Sequence, residues 1–338
     1  MSNQSELAQL AGVFSGSALS NRNMVVNGGM TVAQRAVSVT GVTGQAYHCC
    51  DRFQSVINAL GTWTVTQEAD GPSGFANSLK YECTTADASP AAGDYIFITQ
   101  SLEGLNVQQI AKGTADAKPL TLSFWVKSNV TGTYCVYLLD QDNSRGVGGT
   151  YSVSASGTWE YKTISLPADT TGAFTNDSNK SLQIEFWLDS GTDFTSGTTP
   201  SAWEAQDNTD RNGSSTVNLG DTIGNYWQIT GVQLEIGDTS TPFEHEPYSV
   251  TLQKCQRYYY SNTSTSQFYA TQYVDTYKFV QWGHPVRMRA TPTPTVTYFT
   301  GSFSPYQIDD QHFKAYVASS YTDGTTYYTT SYAMDAEL

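Results

Sequence analysis

From residue 60 to residue 236 apolar and polar side chains alternate with period two. In LTLSFWVKS, Leu120, Leu122, Phe124 and Val126 take one parity, and Thr121, Ser123, Trp125 and Lys127 take the other. Neighbouring side chains on a strand point to opposite faces, so this spacing predicts half-buried strands. SLQIEFWLDS repeats the scheme with Leu182, Ile184, Phe186 and Leu188. TWTVTQ, SLKYECT, DYIFITQSL, TYCVYLLD and WEYKTISL read the same way, with Gly, Asn, Asp and Pro clusters between them. The pattern is that of an all-β antiparallel sandwich.

In YWQITGVQLEI the parity changes: Trp227 and Ile229 share one, Val232, Leu234 and Ile236 the other. A β-bulge with Gly231 as the extra residue returns all five to the core and predicts a central strand. TSTPFEHEP then ends pairing with its two prolines. From Ser249, a candidate N-cap, Leu252, Cys255 and Tyr259 fall at helical spacing. A helix of about three turns is marginal alone, so this edge is expected to dock on the sandwich end or on a neighbouring chain and act as a stiff joint. Residues 262 to 338 are rich in Tyr and Thr, with a hairpin signal at Asp323-Gly324, and read as a second, small β domain. The expected divisions are 1–20, a leader; 21–247, the sandwich; 248–261, the helical joint; and 262–338, the distal unit.

Charge narrows the function. Only 14% of the 338 residues are Asp, Glu, Lys or Arg, against about 25% in ordinary globular proteins. The net charge of −14, with no basic run, argues against nucleic-acid binding. No segment approaches the length of a membrane span, and the N-terminus lacks the cationic and apolar regions of a signal peptide. The five cysteines are odd in number and scattered. They read as reduced, buried thiols, which suits folding in a cytoplasm; a metal site of His48 with Cys49 and Cys50 lacks the spacing to complete it.

Catalytic motifs are missing: there is no G-x-S-x-G, H-E-x-x-H or P-loop, and the four histidines stand apart. Glu103, Glu185 and Glu204 are formal candidates for a carboxylate pair, each better explained as a surface residue. No enzyme activity is expected. EAQDNTDRNGS places Asn208, Asp210 and Asn212 before Gly213, in the order of an oxygen-ligand Ca2+ loop. Leu219 stands where an EF-hand needs its closing Glu, so an Asx-rich turn without an ion is the competing reading. LLDQDNSRG, with Asp140, Asp142 and Asn143, is a weaker candidate.

Three stretches together resemble bacteriophage tail-fibre and related virion appendage proteins: NMVVNGGMTVAQR at 23–35 with DRF at 51–53, WQITGVQLEIGDTSTPFEHEPYSVTLQKCQRYY at 227–259, and HPVRMRATPTPTV at 284–296. They touch both ends of the sandwich and the following unit. Glu246 stands where a basic residue is expected after His245, and His48-Cys49-Cys50 replaces a blander strand. The resemblance implies a jelly-roll with a carbohydrate-binding-like fold whose first strand is the 23–35 stretch. It also implies a homotrimer, attachment to other tail or virion proteins through residues 1–20, and a place in the virion after assembly in the host cytoplasm. Adhesion to a host surface glycan or receptor follows, with a structural adaptor, collar or head-decoration fibre as the alternative. Aromatic faces stack on sugars, so Tyr269, Tyr273, Tyr277 and Trp282 are the expected carbohydrate contacts, beyond a sandwich that is patterned for burial.

Overall fold

The computed structural model describes the backbone of residues 21–262, 266–269, 271–273, 277–299, 303–317 and 326–338, and the side chains of 21–262, 283–296, 308–314 and 332–338. The chain divides into two compact units, Met1–Glu246 and Pro247–Leu338. The leader and Asp323-Gly324 lie outside the described residues.

The first unit is a sandwich of two antiparallel sheets. One sheet runs β1 (Ser38–Val42), β4 (Thr62–Glu68), β5 (Ser78–Thr85), β13 (Tyr226–Ile236), β7 (Leu120–Ser128), β10 (Glu160–Leu166). The other runs β12 (Glu204–Ala205), β9 (Arg145–Val153), β8 (Gly132–Asp140), β11 (Lys180–Ser190), β6 (Tyr95–Glu103), β3 (Gln54–Asn58), β2 (Ala46–Tyr47). The chain passes repeatedly from one sheet to the other, at β1 to β2, β3 to β4, β5 to β6, β6 to β7, β7 to β8, β9 to β10, β10 to β11 and β12 to β13, which wraps the sheets as a jelly roll. Between the sheets Phe124 meets Phe186 and Tyr151 edge to face, with centroids at 5.2 and 5.0 Å. Trp227 Nε1 donates to Tyr151 Oη across the same gap at 3.0 Å.

The parity reading of β7 holds on the inner face, where Leu120, Leu122, Phe124 and Val126 are buried. Its outer face is only partly solvated. Thr121 and Ser123 are buried as well, because the chain after β13 folds back over them and Thr121 Oγ1 donates to Gly237 O at 2.8 Å. In β11 every residue after Lys180 is buried, so a half-buried strand is the wrong description there. Trp187 on its outer side packs with Phe97 and Phe194 in a second apolar cluster. The bulge in β13 is present between Thr230 and Gln233, with Gly231 at φ 63° and Trp227, Ile229, Val232 and Leu234 in the core; Ile236 is half-buried.

Residues 23–35 do not form the expected first strand; they are a turn and coil locked by side-chain amides. Asn27 Oδ1 accepts the backbone N–H of Thr31 and Val32, while its Nδ2 donates to the carbonyls of Val32 and Asp51. A side chain offering donors and an acceptor at once gives the backbone an alternative to a ladder, and the turn results. At Gly28 a Cβ would lie 2.0 Å from Val232 O, so only glycine lets this turn meet β13.

The second unit opens with α1 (Tyr248–Gln256). Pro247 precedes it without a side-chain cap, so Ser249 is not the N-cap but lies one residue inside the helix. Its buried positions are Thr251 and Cys255; Leu252 is half-buried, and Tyr259 begins the next strand. The helix belongs to this unit and its end is tied down within it: Arg289 N donates to Arg257 O at 2.8 Å and Ala336 N to Tyr258 O at 2.7 Å. One sheet here centres on β21 (Thr326–Asp335), paired with β14 (Tyr259–Asn262), β15 (Ser266–Tyr269) and β18 (Thr293–Phe299). The other runs β16 (Thr271–Tyr273), β17 (Tyr277–Gly283), β20 (His312–Val317), β19 (Phe303–Ile308). Among the described residues no helix is long and apolar enough to cross a membrane.

Candidate glycan-binding face

Outward-facing positions of β7, β10 and β13 gather aromatic rings on the outside of the first sheet. Trp125 of β7 lies opposite Tyr161 of the edge strand β10, with centroids 5.3 Å apart and planes at 53°. Tyr161 is 43% exposed, and Trp125 and Trp159 are half-buried. On the other side of Trp125 the bulge presents bare Cα. A Cβ at Gly231 would lie 2.8 Å from Phe75 Cζ and 3.1 Å from Trp125 Cδ1, so both rings rest against this one glycine. Phe75 continues the row to Phe243 and His245, at 5.0 and 5.2 Å.

A second row crosses the sheet one pleat further along. Lys127 of β7, Gln228 of β13 and Lys80 of β5 are register neighbours. Lys127 Nζ pairs with Asp70 and stands 5.5 Å from the centre of the Trp159 ring, while Lys80 Nζ pairs with Glu82 and stands 5.1 Å from that of Tyr226. The hydrogen bond from Lys127 is the largest cause holding Asp70 below the usual carboxylate range. Each lysine is thus neutralised in place. The face offers flat rings, which stack on sugar C–H surfaces, beside fixed donors and acceptors carrying little net charge.

This face was hidden in the sequence. Trp125 appears there only as the odd apolar residue in the polar parity of β7, and Trp159, Tyr161 and Phe75 give no signal of their own. The expected contacts Tyr269, Tyr273, Tyr277 and Trp282 fall on β15, β16 and β17, and their side chains lie outside the described residues.

Two of the three residues read as a calcium loop have a side-chain oxygen engaged with protein: Asn208 Oδ1 accepts from Arg211 Nη1 at 3.3 Å and Asp210 Oδ1 accepts from Thr198 N at 2.8 Å. The buried Asn212 donates through Nδ2 to Ser190 Oγ at 2.9 Å, and its Oδ1 has no partner among the described residues. Asp140, from the weaker loop, faces a lysine: its Oδ2 lies 2.6 Å from Lys112 Nζ. Of the carboxylates considered for hydrolysis, Glu185 is buried and committed to Arg211, at 2.6 Å, and to Trp187 Nε1, at 3.0 Å. Glu103 is buried and Glu204 exposed. All five cysteines are buried free thiols, and burial raises the Cys49 thiol to about 11.

No family model and no curated protein matches the sequence. Among solved structures, similarity extends to the enzymatically active domain of bacteriophage CBA120 tailspike protein 4, at 13% identity and a TM-score of 0.32 over 64% of this chain and 21% of that one. It extends also to a CBM4 structure, at 14% identity and a TM-score of 0.32 over 62% of this chain and 98% of that one. TmCBM61 in complex with β-1,4-galactotriose aligns at 8% identity and a TM-score of 0.31 over 64% of this chain and all of its own. The chain spans about a fifth of the tailspike domain's length.

Proposed function

We propose that this protein is a bacteriophage virion appendage of tail-fibre type, and that its sandwich adheres to a glycan of the host surface through the Trp125, Trp159 and Tyr161 face. The observation that carries the reading is the row of rings on strands whose other outward positions are polar: Thr, Ser and Gln, with Lys127 paired to Asp70 and Glu235 accepting from Gln233 and Thr241. An edge strand open to solvent normally presents polar side chains, and rings left there at the surface mark a contact site. Neutralised lysines beside them suit an uncharged saccharide, held by stacking and hydrogen bonds. The order of the tail-fibre-like stretches supports assembly as a homotrimer attached to other virion proteins through residues 1–20.

Competition for adsorption tests this reading. Purified full-length protein is expected to block phage adsorption to host cells, and to lose that block when the cell-surface polysaccharide is stripped enzymatically. Protein that is folded and trimeric yet leaves adsorption unchanged points instead to an adaptor or decoration role.

A further inference from the structure

Away from the aromatic face, where β8 ends, lies a buried group of charges. Lys112 follows Ala111, a left-handed residue at φ 54° that closes the turn Gln108–Ile110. Its side chain is 1% exposed. Nζ lies 2.6 Å from Asp140 Oδ2, 3.0 Å from Asp169 Oδ2, 2.8 Å from Thr171 O and 2.9 Å from Gly172 O. The rings of Phe174 and Trp203, centred 5.4 and 5.1 Å from Nζ, wall the site.

The Asp140 carboxyl is held in a way that a simple ion pair does not require. Oδ2 faces the amine, while Oδ1 accepts two convergent backbone N–H groups, from Asp142 at 3.0 Å and Asn143 at 3.1 Å. Asn143 Nδ2 reaches both oxygens, at 3.3 and 3.0 Å. Two preorganised N–H donors on one oxygen are what addition at a carboxyl carbon needs to hold the developing oxyanion. Asp169 is fixed within reach of the same Nζ by Arg145, whose Nε and Nη2 donate at 2.8 and 3.2 Å. A nucleophile, a polarised carboxyl and a proton acceptor therefore converge in a site closed to solvent.

We propose that Lys112 and Asp140 join in an intramolecular isopeptide bond, with Asp169 relaying the proton. A proton first passes from the Lys112 ammonium to Asp140 Oδ2, leaving a neutral amine and a neutral acid. The amine lone pair attacks Asp140 Cγ, the C–N bond forms, and the negative charge gathers on Oδ1 between the Asp142 and Asn143 N–H groups. Asp169 takes a second proton from the nitrogen and passes it to Oδ2; the C–Oδ2 bond breaks and water leaves. One amine and one acid give one amide and one water, with no oxidant or reductant. Lys112 and Arg145 face Asp140 and Asp169 before the reaction, and Arg145 faces Asp169 after it, so no buried charge is stranded. The bond would cross-link a chain whose cysteines are all free.

Intact-mass measurement of the purified full-length chain decides the matter. The expected mass is that of the sequence less one water, with a branched proteolytic peptide joining the segments that contain Lys112 and Asp140. Lys112→Arg is expected to restore the full sequence mass, and Asp140→Asn to reach the same cross-linked product by losing ammonia. Asp169→Asn, if folded by circular dichroism, is expected to remain unlinked. Wild-type protein that is folded and keeps its full sequence mass after prolonged incubation at neutral pH overturns the proposal. Loss of water in Lys112→Arg overturns the assignment of the amine, and linkage of Asp169→Asn at the wild-type rate overturns the relay.

Discussion

Glu244 holds Asn23 by its backbone: the carboxylate accepts the Asn23 N–H at 3.0 Å, and also those of Arg22 at 2.7 Å and Asn21 at 2.6 Å. Asn23 in turn donates through Nδ2 to Val232 O and accepts the Leu234 N–H on Oδ1. Two stretches that resemble tail-fibre sequence, separated by about two hundred residues, thus form one clasp at the β13 bulge.

The clasp predicts a pH-dependent contribution to stability. Burial works to raise the Glu244 pKa, yet the three N–H donors outweigh it and hold the group below its ordinary 4.5. A depressed folded pKa stabilises the fold above the unfolded value, and the gain is lost as pH falls through the folded value. Glu244→Gln is expected to cost about 1 kcal/mol at neutral pH. In chemical denaturation the difference from wild type should vanish as pH falls from above 4.5 through that lower value.

Asp189 predicts the opposite sign. It is fully buried, Oδ2 accepts from Gly220 N at 2.8 Å, and Oδ1 has no partner among the described residues. Burial raises its pKa from 3.8 to about 7. Between these values the folded state keeps a proton that the unfolded chain releases, so this residue's contribution falls as pH rises through that window and is level above it. Asp189→Asn is expected to gain roughly 2–4 kcal/mol over wild type above the window and nothing below it. Melting curves of both proteins across pH measure the difference.

Gly231 couples fold to site. Its φ of 63° disfavours any side chain, and an added Cβ would meet Phe75 and Trp125. Gly231→Ala should therefore destabilise by about 1–2 kcal/mol. It should also displace the two rings and weaken glycan binding more than Gly224→Ala, an equally positive-φ position with open space around its Cα.

Legibility followed periodicity. The strands of the sandwich and the β13 bulge show in the sequence because side-chain parity is local. The outer cover of β11 does not, since Trp187 is buried by Phe194 and Arg211 from a later loop. Likewise the Trp125 and Tyr161 pair depends on the register of β7 with β10, and the Lys112 site on two loops and the end of β8, far apart in sequence. In α1 the apolar spacing was visible, but which edge is buried is set by the unit around it, and Thr251 replaced Leu252 on the inner side.

The most direct measurement is calorimetric titration of host surface polysaccharide into the full-length protein and into a Trp125→Ala, Tyr161→Ala double variant. Both side chains lie on the outside of the sheet, away from the inter-sheet core, but Trp125 is half-buried, so the variant should fold with a modestly lowered melting temperature, by about 1–2 kcal/mol of stability, and circular dichroism checks the fold. Wild type is expected to bind saturably and the variant at least about tenfold more weakly, a change of about 1.4 kcal/mol. Equal affinity in the two proteins would contradict this expectation and move the binding site away from the Trp125 and Tyr161 face.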